Sequence, residues 1–118
     1  MIGEQIEAIL NPKKDGWFIL QTDKQSYFLR LGGVSDADFV DLNKYDKVDF
    51  PLINKIITRV LTDDFLILIE TAEGDALKHS SNASIDSHGS TYFGVTYLSK
   101  ESYKEIKEDY GNLLVEIK

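Results

Sequence analysis

The sequence predicts an α+β fold. A single domain over residues 1–118 is expected, built mainly on an antiparallel sheet or half-open barrel of about six strands with one or two helices, the C-terminal helix being followed by a last strand. Three observations carry this. Short aromatic or β-branched runs are separated by gaps of hairpin length. A helical apolar spacing preceded by a capping serine begins only near residue 99. At 42% hydrophobic and 11% aromatic residues with two prolines, the chain is too apolar to stay disordered. A chain of this size buries roughly two-thirds of the surface its unfolded form exposes, so one core is feasible without covalent staples.

In chain order, the opening Ile2 to Leu10 is ambiguous. Ile2, Ile6 and Ile9 suit a helix, whereas Ile6, Ala8 and Leu10 alternate as in a strand, and strand is preferred because a strand run follows. Asn11 to Gly16 is turn chemistry, with Pro12 setting φ and Gly16 open to positive φ. Trp17 to Thr22 and Ser26 to Leu31 are strands around the turn Asp23-Lys24-Gln25. A short helix is expected over Asp36 to Lys44, capped by Ser35, with acids in its first turn and Val34 and Phe39 as a hydrophobic staple. Lys55 to Leu61 and Phe65 to Thr71 form a second hairpin, and Phe65 to Ile69 is apolar on both faces, as in a covered central strand. Thr91 to Leu98 reads as one strand, with Gly94 marking a bulge or a close approach. Ser99 and Ser102 are both placed to cap a helix whose buried face is Tyr103, Ile106 and Tyr110, and Gly111 stands where such a helix ends. Leu113 to Ile117 is the last strand. No internal repeat is visible.

Charge narrows the function classes. The net charge is −7 and the pI about 4.7. Such a surface repels nucleic-acid phosphates and anionic membranes. From Val60 to Ser99 six acids face Lys78 alone, which accounts for −5 of the total, and Val34 to Phe50 adds −3. There are no cysteines, so thiolate metal sites and cysteine nucleophiles are excluded, and a reducing cytoplasm is the expected setting. The first residues carry no basic-then-apolar pattern of a secretory signal. The longest apolar run is far below a membrane span. Without a secretory route, Asn82-Ala83-Ser84 is a chance glycosylation sequon.

Candidate chemistry is sparse. Lys78 to Gly94 holds five serines and both histidines. Ser84, Asp86 and His88 lie close in sequence, but there is no nucleophile-elbow pattern, and Ser/Asn/Asp/Gly between strands is loop composition. His79 and His88 lack a compact metal-ligand spacing and are expected on an exposed loop. Asp36, Asp38 and Asp41 open like a calcium loop, but Val40, Asp41 and Lys47 occupy positions that need an oxygen ligand, a glycine and a glutamate. Gly32-Gly33 has no phosphate-binding continuation, and Glu116-Ile117-Lys118 is too short a match to a nuclease strand. The strand aromatics lack the interleaved basic residues of a base-stacking surface. No cofactor or metal is expected.

The expected function is therefore a non-enzymatic acidic binding module with a basic protein partner. In size and charge alone the chain resembles bacterial immunity proteins and phage-type inhibitors, which neutralise nucleases or other nucleic-acid-binding proteins. The expected partner-binding residues are Asp63, Asp64, Glu73 and Asp75, with Asp38 and Asp41 second, provided that these segments gather at one end of the sheet. The alternatives are a small enzyme or ligand-binding domain using His79, Asp86 and His88 of the 78–91 loop, and a structural subunit of an assembly.

Overall fold

Strands dominate because apolar residues alternate along most of the chain, and the computed structural model pairs every one of them antiparallel. It describes residues 1–11, 17–30, 33–37, 45–48, 50–62, 66–80, 90–92, 95–110 and 114–117. The first sheet comprises β1 (Ile6–Asn11), β2 (Trp17–Thr22), β3 (Ser26–Arg30), β4 (Gly33–Asp36) and β5 (Asp46–Val48) in the order β4-β3-β2-β1-β5. The second comprises β6 (Ile57–Thr62), β7 (Leu66–Thr71), β8 (Ala76–Ser80), β9 (Ser90–Tyr92), β10 (Val95–Leu98) and β11 (Val115–Ile117) in the order β11-β6-β7-β8-β10-β9. The helix α1 (Lys100–Tyr110) connects β10 to β11.

The inner faces of the two sheets share one core. Ile9, Phe18, Leu20 and Leu29 of the first sheet pack with Val60, Ile67, Ile69, Leu77 and Val95 of the second, joined by Phe50 and Leu52 from the connection between them. On the outer face of the second sheet, Tyr103 and Ile106 of α1 cover Leu61, Leu68, Ala76 and Leu98. The outer face of the first sheet is also buried, at Ala8, Leu10, Ile19 and Ala37.

The sheets are two copies of one plan. The registers match pair for pair: Ile6 opposite Thr22, Ile9 opposite Leu20 and Leu10 opposite Ile19 correspond to Ile57 opposite Thr71, Val60 opposite Ile69 and Leu61 opposite Leu68. Both hairpins shift register at the same place, between Ile6 and Ala8 and between Ile57 and Arg59. β4 matches β10, with Val34 opposite Leu29 where Val95 is opposite His79. β5 matches β11, with Val48 opposite Ile9 where Ile117 is opposite Val60.

A two-stranded ribbon joins the halves reciprocally. The Ile6 and Ile57 amides donate to the Lys55 and Glu4 carbonyls, both at 2.9 Å. The Gly3 and Asn54 amides donate to the Ile57 and Ile6 carbonyls, both at 2.7 Å. Reciprocity of this kind is the signature of a two-fold axis, here internal to one chain. Gly3 and Asn54, the matched residues that begin the ribbon, both take positive φ (85° and 74°), a conformation open to glycine and tolerated by asparagine.

Several expectations change here. The sheet is split in two and holds more strands than six. The opening residues keep the preferred strand, which begins at Ile6. Ser35 and Asp36 lie in β4, paired with Phe28 and Tyr27, instead of starting a helix, and the rest of the helix expected there, 38–44, lies outside the described residues. The run from Thr91 to Leu98 divides into β9 and β10, which pair with each other with Tyr92 facing Val95. The repeat that no sequence period revealed is the organising feature of the fold.

Candidate functional site

The ribbon sets up two buried polar clusters at matched positions. Glu4 and Lys55 are counterparts, and both turn inward beneath the ribbon. The Glu4 carboxylate accepts hydrogen bonds from the Thr22 hydroxyl at 2.6 Å and the Tyr27 hydroxyl at 2.7 Å, and it pairs with the Met1 amino group. Burial pushes the Glu4 carboxyl up, but these donors outweigh it and hold it below the ordinary carboxylate value. Tyr27 is raised, first by burial and then by its acidic partner.

In the second cluster the sign at the matched position is reversed. The Lys55 ammonium donates to Asp75, which also accepts from the hydroxyls of Thr71 and Tyr97, the latter at 2.9 Å. Burial raises the Asp75 carboxyl, but the three donors prevail and lower it, while the bond to Asp75 raises Lys55. Thr22 and Thr71, identical at matched positions, each organise their turn. Each hydroxyl gives its proton to the carboxylate of its cluster and accepts from a turn amide, that of Lys24 or Glu73.

Above these clusters lies an exposed face. Gln5 and Ile56 bridge one another across the ribbon, so their side chains share its outer side. Ile56 is 39% exposed and Ile2 48%. Asp23 flanks the ribbon on one side, its amide bonded to the Gln5 carbonyl and its carboxylate to the Gln5 amide. On the other side the Ala72 amide bonds to the Ile56 carbonyl, which brings in the turn holding Glu73. Asp23 and Glu73 are exposed in these flanking turns, with Lys24 as the exposed base of the Asp23 turn, and Glu7 is exposed on β1 at the register shift.

The sequence-predicted residues separate. Glu73 is exposed and stands 3.4 Å from the Lys55 ammonium. Asp75 is 4% exposed, its carboxylate occupied by internal donors. Asp63, Asp64, Asp38 and Asp41 lie outside the described residues. Leu66, paired with Ser80, and Thr71, paired with Ile57, stand at opposite ends of β7, roughly 17 Å apart. His79, expected on an exposed loop, is instead in β8, 3% exposed, with its ring edge-on to Phe18 at 5.2 Å. Lys78 is also buried in β8, and Asp86 and His88 lie outside the described residues. Glu7, Asp23 and Ile56 were missed by sequence reasoning, because nothing local marks them; the ribbon brings Asp23 and Ile56 together through Gln5.

Among the described residues no His/Asp/Glu cluster is placed to hold a metal ion, and no helix is long and apolar enough to cross a membrane. No protein-family model, curated protein or solved structure matches the chain.

Proposed function

We propose that the protein is a non-enzymatic binding module that covers a basic protein partner with its acidic surface, in the manner of an inhibitor or immunity protein. The observation that supports this best is the ribbon face. Ile56 is an exposed aliphatic side chain between turns that carry Asp23 and Glu73, with Glu7 on the same ribbon strand. An apolar centre within a charged rim is how binding surfaces combine affinity with electrostatic steering. The net charge of −7 adds long-range attraction for a cationic partner. Of the three residues of the enzyme reading, His79 is 3% exposed and packs against Phe18, and Asp86 and His88 lie outside the described residues.

The test is capture of a basic protein from source-cell lysate, elution by salt, and association kinetics with the recovered partner. Changing Glu7→Gln, Asp23→Asn and Glu73→Gln together is expected to slow association by roughly tenfold at low salt. Ile56→Ala is expected to speed dissociation instead. In parallel, Asp63→Asn with Asp64→Asn and Asp38→Asn with Asp41→Asn test the remaining acids. Association indifferent to all of these changes leaves the acids as a solvated surface and removes the proposal.

A further inference from the structure

The two halves differ at one edge. In the second sheet β10 is followed outward by β9, but among the described residues its counterpart β4 is the last strand of the first sheet. Among the described residues no strand pairs with the outer edge of β4. Such an edge presents backbone N–H and C=O groups ready for another strand. A second difference lies beside it. Phe50 sits edge-on to Tyr97, ring centres 6.3 Å apart, and Tyr97 is the counterpart of Asp36. At the matching place in the first half there is a cleft of about 210 Å³, bordered by Met1, Ile2, Tyr27, Val34, Asp36 and Val60. Val34 is half-buried, and Asp36 is exposed at the rim.

We infer that β4 is a docking edge for an extended segment of the protein partner, added antiparallel as β9 is added to β10, with a basic residue two positions before an aromatic one. This rests on the protein-binding reading above. The register of the complete half supplies the pattern. In β9, Tyr92 faces Val95 and Ser90 faces Tyr97. Transferred to β4, one incoming residue faces Val34 and the residue two positions earlier faces Asp36. Directly opposed residues share a face of a sheet. Val34 packs against the shared core and Asp36, two positions on, lies on the same face, so the incoming side chains opposite them are directed to the cleft on that side, which Ser35 also borders. The first meets the apolar walls beside Val34, as the aromatic Tyr92 is set opposite Val95 in the other half. The second meets a carboxylate and is matched by Lys or Arg. Strand addition supplies main-chain hydrogen bonds, and the alternate side chains supply the selection. A second copy of this chain is a poor occupant, because each copy carries −7.

The probe is an end-capped peptide, Ser-Thr-Lys-Thr-Phe-Thr-Ser, titrated into the isotope-labelled full chain at low salt. Amide shifts are expected at Val34, Ser35 and Asp36 and around the cleft at Ile2 and Val60. Replacing the peptide's Phe by Ala, or its Lys by Glu, is expected to weaken binding by roughly tenfold. Asp36→Lys is expected to invert the charge preference, so that the Glu peptide binds better than the Lys peptide. No shift at 33–36 with millimolar peptide, affinity blind to the Phe and Lys changes, or the same shifts arising from self-association without peptide each overturns the inference. A basic partner that binds through Glu7, Asp23 and Glu73 and leaves the 33–36 amides unmoved removes the docking edge but not the acidic-face reading. Peptide binding at β4 without any effect of those three acids on the partner does the reverse.

Discussion

Asp75 illustrates how a single residue escapes a charge map. It stands in an acidic stretch and reads as a surface acid, yet it is the centre of a buried cluster with Lys55, Thr71 and Tyr97. The donors that hold it inside come from 4, 20 and 22 positions away, and only the turn threonine is close enough to be anticipated. Asp75→Asn leaves Lys55 without its main partner in a half-buried setting, and breaking such a pair costs about 3 kcal/mol. Urea unfolding checks this, and an unchanged midpoint sinks it. The sign with pH follows from linkage. The folded-state value of Asp75 is depressed, so its contribution is present above the unfolded carboxylate value and is lost as pH falls through the folded one. The folded-state value of Lys55 is raised, so its contribution is present below the unfolded lysine value and is lost as pH rises through the folded one. Stability is therefore expected to fall at both extremes, and Asp75→Asn to flatten the acid limb. Glu4, depressed in the same direction, keeps part of that limb in the variant.

At the scale of elements, local pattern decided what was legible. The hairpins β2–β3 and β6–β7 were readable because each joins two apolar runs across a three-residue gap. The helix was readable from its apolar spacing, and the structure selects between its two candidate caps. Ser99 accepts from the Ser102 amide through its hydroxyl at 3.2 Å and from the Tyr103 amide through its carbonyl at 2.9 Å, which makes Ser99 the cap. Ser99→Ala is accordingly expected to cost about 1 kcal/mol in thermal or urea unfolding. Ser102→Ala, inside the first turn, is expected to cost less, and the opposite ranking would move the cap. β4, β5 and β8 were not readable. Gly33 to Asp36 and Asp46 to Val48 are short and polar and become strands only by pairing with β3 and β1. β8 carries Lys78 and His79, a pair that reads as loop until β7 and β10 enclose it. The same enclosure makes His79, one of the two histidines that suggested chemistry, a core residue, and the face proposed for binding is assembled from turns that no motif connects.

At the scale of the whole molecule, the internal two-fold was hidden by drift in spacing. β1 and β6 lie 51 positions apart (Ile6 and Ile57), β2 and β7 49 (Thr22 and Thr71), β4 and β10 61 (Val34 and Val95), and β5 and β11 69 (Val48 and Ile117). A search at a fixed period fails when each connection differs in length, and few matched residues are identical. What persists is burial: Ile9 with Val60, Phe18 with Ile67, and Leu20 with Ile69 fill the same core from opposite sheets. Neither half encloses that core alone, because each inner face is covered by the other sheet and by Phe50 and Leu52 between them. The ribbon adds backbone bonds that exist only when both halves are in place. The halves are therefore expected to unfold together. Trp17, the single tryptophan, lies on β2 in the first half, and α1, the helix among the described residues, belongs to the second. Tryptophan fluorescence and the helical far-ultraviolet signal report the two halves separately, and in urea their transitions are expected to coincide at one midpoint with one slope. Ile6→Ala, in the first half, and Ile57→Ala, in the second, each remove a fully buried side chain beside the axis, and each is expected to shift both signals equally, by about 3 kcal/mol. Two separated transitions, or a change at Ile57 that moves the helix signal and leaves the tryptophan unmoved, would show that the halves are independent units and that the shared core is not what holds them together.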